Sequence, residues 1–140
     1  EVPTMDFVKF SLSGFDEFLV YAGLSIAYIY VFMLAYLKLT PYNELKLIKD
    51  GNIAAALSLS GSVLGFTFPL AASIYQASHP WDMMLWALIA GIVQLLVYIA
   101  VRYSLLNVTR RIPEGQTATG IVLGAISMSA GILNAACMTY

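Results

Sequence analysis

Charged residues are absent from four long apolar stretches of this chain. The stretches are Phe18–Leu37, Ile53–Ala77, Met83–Val101 and Gln116–Tyr140. Each is near or above the roughly 20 residues that a helix needs to cross about 30 Å of hydrocarbon. A lysine or arginine at mid-bilayer costs about 3 kcal/mol, and all seven cationic residues avoid these stretches. The pattern predicts an all-α membrane protein with four transmembrane helices.

Positive charge is concentrated in two of the three loops between these helices. The first and third loops hold six of the seven cations, which are Lys38, Lys46, Lys49, Arg102, Arg110 and Arg111. The middle loop, residues 78–82, has none. The positive-inside rule therefore predicts two cytoplasmic basic loops and both termini outside. Residues 1–17 then form an outward-facing N-terminal segment.

The chain also repeats itself at an offset of 64 residues. Lys46 corresponds to Arg110, and Ile48–Asn52 corresponds to Ile112–Gln116. Chance similarity between apolar segments explains matching alanines and leucines, but it explains ordered polar matches poorly, so we favour a duplication. Each unit would be a two-helix hairpin, and both hairpins would enter the membrane in the same, parallel orientation. The two repeats cover residues 18–78 and 79–140.

Small residues share one face of the second and the fourth predicted helix. The glycines on these faces are Gly61, Gly65, Gly120, Gly124 and Gly131. Small residues let helix backbones approach closely in lipid, where no hydrophobic drive joins helices. The faces predict either helix packing within one subunit or the interface of a homo-oligomer.

Several uncharged polar side chains fall at membrane depth and form a candidate polar path. They are Ser58, Ser62, Ser127, Gln94 and Asn134. An unpaired amide in hydrocarbon is costly, so structural hydrogen bonds between helices are the favoured alternative. Gln94 has Tyr98 within reach one turn along. Pro69 is expected to kink the second helix.

The first predicted helix carries an aromatic stripe at helical spacing, made of Tyr21, Tyr28 and Phe32 with Ser25 between them. Such a stripe is typical of side chains that pack against other helices. The functional alternative is a flat surface for a lipid chain or a quinone. An aromatic stripe alone does not identify a cofactor pocket.

The first basic loop contains the signals of a short surface helix. Thr40 suits an N-cap and Pro41 a first helical position, which predicts a helix over Pro41–Lys49. Gly51 is expected to end that helix in a left-handed conformation. Asn52 is expected to cap the second spanning helix.

Catalytic chemistry has little support in this sequence. His79 is the only histidine, and with Asp82 it makes one pair, far short of a metal site. Cys137 is expected to be a buried, inert thiol. Solvated ion-pair partners are expected in the basic loops at Glu44, Asp50 and Glu114. We therefore expect no enzyme and no cofactor, and the net charge of −1 argues against nucleic acid.

Several motifs together resemble one known family. They are Thr40–Glu44, Leu47–Leu57, Ser60–Gly61, Leu64–Gly65, Pro69–Leu70 and Gly131–Thr139. Over roughly residues 18–139 the chain resembles the YjfL-like bacterial inner-membrane proteins, built from a repeated two-helix domain of unknown function. The resemblance implies a bacterial inner-membrane location and four crossings, and it brings no catalytic residues. Genes of the family tend to lie near those of phage-shock-like and ATP-grasp proteins, which implies an envelope-associated system.

The leading functional hypothesis is a non-enzymatic, self-associating scaffold or anchor subunit of the inner membrane. Its basic loops would contact anionic lipids or a cytoplasmic protein partner through Lys46, Lys49, Arg110 and Arg111. The alternative is a small channel or transporter for an uncharged or weakly charged solute. The repeat, Pro69 and the hydroxyl-bearing helices motivate that alternative.

Overall fold

The computed structural model describes residues 4–104 and 107–138, and the regular secondary structure of these residues is helical. The helices are α1 (Thr4–Ser11), α2 (Phe15–Leu39), α3 (Glu44–Lys49), α4 (Ile53–Gln76), α5 (Pro80–Ser104), α6 (Val108–Arg111) and α7 (Thr117–Cys137). Four segments are long and apolar enough to cross a membrane, namely α1 with α2, α4, α5 and α7. The predicted all-α architecture with four spans is confirmed. The predicted end of the last span at Tyr140 lies outside the described residues.

The first span begins earlier than its apolar stretch. α2 starts at Phe15, so Asp16 and Glu17 occupy its first turn, where carboxylates interact favourably with the positive end of the helix dipole. The preceding short helix α1 was not predicted, and it buries none of its residues. Its side chains Phe7 and Phe10 are instead exposed.

The start of the predicted surface helix was wrong. α3 begins at Glu44 rather than Pro41, and Asn43 is its N-cap, accepting a hydrogen bond from the Lys46 amide at 3.2 Å. Thr40 closes the preceding helix instead, because its own amide bonds back to Tyr36 O. Because its amide is bonded within α2, Thr40 is the C-cap of that helix and not the N-cap of α3.

The predicted exit from this loop is confirmed. Gly51 has a φ of +88°, a backbone conformation that glycine adopts without steric cost. The Asn52 Oδ1 atom accepts a hydrogen bond from the Ala55 amide at 2.9 Å, as an N-cap does.

Helices α4 and α7 form the centre of the bundle and make its most extensive contact. They run in the same direction, because Ala54 lies against Gly120 and, further along both helices, Gly65 lies against Gly131. α4 continues without a break through the buried Pro69. Two parallel helices therefore pack side by side along their length.

Helices α2 and α5 flank this central pair and also run in the same direction. The Tyr28 hydroxyl donates to Met84 O at 2.6 Å. Further along both helices, the rings of Tyr36 and Tyr98 lie 4.8 Å apart between centroids. α2 contacts the rest of the bundle through α4 and α5, so most of its surface remains exposed.

The buried side chains form two clusters at opposite ends of the bundle. One lies at the end formed by α3, α6 and the adjoining helix termini, called here the basic end, and contains Tyr36, Ala54, Ala55, Tyr98, Val101, Val108, Ile112 and Leu123. The other contains Phe32, Phe66, Leu70, Met83, Ala87, Ala90 and Met138. In a membrane, such packing holds helices together by close contact rather than by exclusion of water.

Candidate functional site

The glycines of the small-residue faces lie in the contact between α4 and α7. Those named from the sequence, Gly61, Gly65, Gly120, Gly124 and Gly131, are all buried. A Cβ added to any of them would meet backbone atoms of the facing helix at less than 3.0 Å. The surface that they form is therefore occupied inside the chain.

The predicted polar path is a buried row of side chains beside this contact. Ser58, Ser62, Ser127 and Gln94 are each at most 2% exposed. The Ser62 and Ser127 hydroxyls lie 3.4 Å apart, joining α4 to α7. The amide of Gln94 donates from Nε2 to Ser127 O at 2.7 Å, which ties α5 to α7. The row therefore links three of the four spans.

Gln94 does not bond to Tyr98, the group within its reach on its own helix. The side chain turns instead to the carbonyl of Ser127, because Gly65 leaves space beside it on α4. Asn134 extends the same pattern toward the other end of the bundle, where its Nδ2 lies 3.4 Å from Ala90 O. Both amides thus bridge α5 and α7.

The expectation that Glu44 is a solvated ion-pair partner among the basic residues was wrong. Its side chain is 1% exposed. Its Oε1 atom accepts a long hydrogen bond of 3.5 Å from the Tyr36 hydroxyl. That hydroxyl also lies 2.7 Å from Ser58 Oγ, so Glu44 stands at the basic end of the polar row. Glu44 is the first residue of α3, and its side chain points toward the core.

Two further tyrosines complete the surroundings of this carboxyl group. Burial, with Tyr98 and Glu44 adding to it, raises the pKa of Tyr42 above its ordinary value. Burial also raises the pKa of Glu44 to about 8, against a smaller lowering by the Tyr36 hydrogen bond. The Oε2 atom of Glu44 is buried without a hydrogen-bond partner in the described part of the chain.

The residues of this group were missed because a glutamate in a basic loop suggests an exposed ion pair. One signal was available in the sequence. The position 64 residues after Glu44 is Val108, an apolar residue that is fully buried in α6. Under the predicted duplication, a valine at the matching position would indicate that the site of Glu44 faces the core.

The two basic loops lie beside each other. The Asn52 side chain donates from Nδ2 to Ile112 O at 2.8 Å, and a shallow groove runs between the loops from Asp50 to Glu114. The loop residues named from the sequence are exposed at Lys46, Lys49 and Arg110, whereas Arg111 is half-buried. Arg110 lies 3.7 Å from Glu114 on its own loop, so Glu114 is a surface ion-pair partner, as expected.

The aromatic stripe of α2 contacts the other helices in part. Phe32 stacks on Phe66 with ring centroids 4.6 Å apart, and Ser25 bonds back to Tyr21 O. An apolar cleft of about 180 Å³ remains between α2 and α5, beside Tyr28 and Gly91. Its lining suits a hydrocarbon chain better than a polar ligand.

The remaining candidate residues do not form a site. The expected burial of Cys137 was wrong, because the thiol is exposed at the end of α7. His79 lies in the exposed loop before α5, where its Nδ1 accepts from the Trp81 amide at 3.3 Å. Across residues 4–104 and 107–138, no group of three histidine, cysteine or acidic side chains is placed to hold a metal ion.

Comparison with known proteins finds similarity to inner-membrane proteins. A family model described as Domain of Unknown Function (DUF350) matches residues 10–138. The chain is 38% identical over 129 residues to the UPF0719 inner membrane protein YjfL of Escherichia coli K12, covering 92% of this chain and 98% of that protein. The protein of the same name from Escherichia coli O157:H7 matches equally. No solved structure matches. The family expected from the sequence motifs is confirmed, and the chain belongs to the DUF350 family of inner-membrane proteins, whose function is unknown.

Proposed function

We propose that this chain is a non-enzymatic membrane anchor that holds an acidic cytoplasmic protein partner against the inner membrane. The observation that carries the proposal is the hydrogen bond from Asn52 to Ile112 O, at 2.8 Å. It joins the two basic loops, which are 60 residues apart in sequence, into one surface at the basic end.

The charges on this surface are free to meet a partner. Lys46 and Lys49 point away from the core on α3, and Arg110 is exposed on α6. Its ion pair with Glu114 is a surface pair, which contributes about 0–1 kcal/mol and is easily exchanged for another carboxylate. Complementary charges of this kind raise association rates and set specificity.

A pull-down of the tagged protein from gently solubilised membranes tests this proposal. The double variant Lys49→Glu and Arg110→Glu should lose the co-purifying protein while its amount in the membrane stays unchanged. Arg111 is left intact because it is half-buried, so that its replacement would disturb packing. Lys9→Glu, an exposed charge on α1, is the matched control and should retain the partner.

Retention of the partner by the double variant would contradict docking through the loops. Loss of binding to vesicles of anionic lipid, with no protein partner recovered from the wild type, would assign the surface to lipid headgroups instead.

Self-association is the second part of the proposal, and the exposure of α2 supports it. The glycine faces of α4 and α7 already contact each other within the chain, so an interface between subunits has to use another surface. Only 6% of the apolar window of the first span is buried inside the bundle, compared with 28–50% for the windows of the other three spans. Native mass spectrometry from nanodiscs should show a dimer or higher oligomer, and a purely monomeric spectrum would exclude it.

We further propose that the four spans are two hairpin repeats of the same orientation. The parallel course of α2 with α5, and of α4 with α7, supports this arrangement. So does the position of α3 and α6, which follow the first span of each unit at the same end of the bundle. A duplicated hairpin would produce these pairings through a pseudo-twofold axis along the membrane normal.

The second candidate function is a small channel or transporter for an uncharged or weakly charged solute. The buried row from Tyr36 through Ser58, Ser62 and Ser127 to Gln94 favours it, because polar side chains inside a membrane bundle commonly mark a solute pathway. The row is closed to solvent in this structure, so conduction would need the helices to move.

Reconstituted vesicles test this second function. Wild-type protein should conduct a small polar solute above the rate of protein-free vesicles, and Gln94→Leu should abolish the increase. Ser129→Ala is the control, because the Ser129 hydroxyl is exposed and bonds within its own helix to Ala125 O. Equal leakage with and without protein would remove the candidate.

A further inference from the structure

The carboxyl group of Glu44 is buried without a charge to balance it. Its side chain is 1% exposed, and it makes no ion pair with any residue in the described ranges. An ionised carboxylate in apolar surroundings costs several kcal/mol unless it is paired and fully hydrogen-bonded. Glu44 has one long hydrogen bond and one oxygen with none.

The described groups that interact with Glu44 are neutral. α2 contributes Tyr36, the loop before α3 contributes Tyr42, and α5 contributes Tyr98. From α4 the Ser58 hydroxyl reaches the same Tyr36 oxygen. The surroundings are therefore rich in hydroxyl oxygens, and no second carboxyl group from the described residues interacts with Glu44.

The cations of this region do not contact the Glu44 carboxyl group. Arg102 of α5 is the cation near Tyr98, and its guanidinium donates to Leu39 O at 2.7 Å. On α3 itself, Lys46 and Lys49 face outward. Arg111 of α6 is half-buried and makes no ion pair with Glu44. Within the described ranges, no cationic group therefore contacts the carboxylate.

We propose that Glu44 and the tyrosines around it form a proton-binding site at the basic end of the bundle. A hydronium ion transfers a proton to the free Oε2 atom: one O–H bond of the hydronium ion breaks, the O–H bond of the carboxyl group forms, and a neutral water molecule leaves. Release reverses this transfer, returns the proton to water and leaves a carboxylate. No electron is transferred.

The protonated form suits the geometry better than the ionised one. A protonated carboxyl group carries one O–H donor and no net charge, so its unpaired oxygen no longer bears a buried negative charge. The same burial raises the pKa of Glu44 to about 8. Tyr36 connects the carboxyl group to Ser58 and hence to the polar row, which places the proton next to the interior of the bundle.

Infrared difference spectroscopy on the full chain in nanodiscs tests the site. Protein labelled with isotope-shifted glutamate should show the carbonyl band of a protonated carboxyl group that disappears as pH rises through about 8. Glu44→Gln should remove this band. Glu114→Gln, at an exposed residue, should leave it unchanged.

Tyr36→Phe separates proton binding from a merely structural role. The Tyr36 hydrogen bond favours the ionised carboxylate and lowers the pKa, so its loss should move the midpoint to higher pH. If Glu44→Gln does not fold, the Tyr36→Phe spectrum still decides, because only a carboxyl group that is bonded to the Tyr36 hydroxyl should change its midpoint when that hydroxyl is removed.

Two results would overturn the proposal. One is a labelled wild-type spectrum in which every glutamate titrates near its ordinary value. The other is a midpoint that falls steadily when choline chloride is replaced by sodium chloride, which would make the ligand a sodium ion. The proposal does not depend on the anchor function, because partner binding through the basic loops is measured separately.

Discussion

Gly61 of α4 lies directly against the backbone of Gly124 of α7. A Cβ added to Gly61 would collide with the Cα, the carbonyl carbon and the carbonyl oxygen of Gly124. These are backbone atoms of a rigid helix, so they cannot turn aside as a flexible side chain would. The distance between the two central helices is therefore set by the absence of a side chain at this position.

The variant Gly61→Ala should destabilise the protein by about 1–3 kcal/mol, the usual cost of overpacking a core. The free energy of unfolding can be measured by titration with sodium dodecyl sulfate in mixed micelles. Gly23→Ala on α2 is the matched control, because nothing lies within 4 Å of a Cβ added there. Equal stability of the two variants would refute the packing argument.

Asn52 has two separable roles, and two substitutions distinguish them. Asn52→Asp keeps an oxygen that can cap α4 but removes the donor to Ile112 O, which should cost about 0.5–1.5 kcal/mol of unfolding free energy. Asn52→Ala also removes the cap and should cost a further ~1 kcal/mol. The same detergent titration provides both values. Identical losses for the two variants would show that only one of the two bonds matters.

The stability of the protein should fall as pH rises from about 4.5 to about 8 because of Glu44. Its pKa is 4.5 in its unperturbed state and about 8 in the fold, so over this interval the folded state binds a proton that the unfolded state has released. Stability contributed by the neutral carboxyl group is complete below 4.5 and is lost as pH passes 8, with a slope of about 1.4 kcal/mol per pH unit as an upper limit.

Thermal unfolding followed by circular dichroism at a series of pH values measures this effect. Glu44→Gln should abolish most of the slope, since glutamine does not titrate. Glu114→Gln should preserve the slope because Glu114 is exposed. An unchanged pH dependence in Glu44→Gln would place the titrating group elsewhere.

The positive-inside rule predicts which end of the bundle faces the cytoplasm. In a Cys137→Ser background, Glu114→Cys should be protected from a membrane-impermeant maleimide in spheroplasts and labelled in inverted vesicles. His79→Cys, in the exposed loop before α5, should behave in the opposite way. Labelling of both cysteines from one side would contradict the two-hairpin topology.

The spans and their approximate ends could be predicted from local information. Apolar length and the exclusion of charge are properties of each segment by itself, which is why α4, with limits of Ile53 and Gln76, matches its apolar stretch within one residue. The cap at Asn52 and the left-handed turn at Gly51 are equally local. Thr40 misled the prediction because a threonine before a proline suits the end of one helix as well as the start of the next.

The candidate site could be predicted only in part. The serines and amides of the polar row stand out in apolar helices, so each was identified, but their partners were not. Gln94 bonds to Ser127 O rather than along its own helix, because the choice depends on the gap that Gly65 leaves across the bundle. Partners on other helices are a property of packing, which no single segment contains.

The amino-acid sequence by itself determined that this chain lives in a membrane, how many times it can cross, and to which family it belongs. Hydrocarbon excludes charge from each segment independently of the others, so the number of spans can be predicted from the local sequence of each segment. Only the tertiary structure decided that Glu44 is buried under Tyr36 and that the two basic loops meet. The burial of one side chain depends on which distant segments cover it, and that is settled when the helices pack.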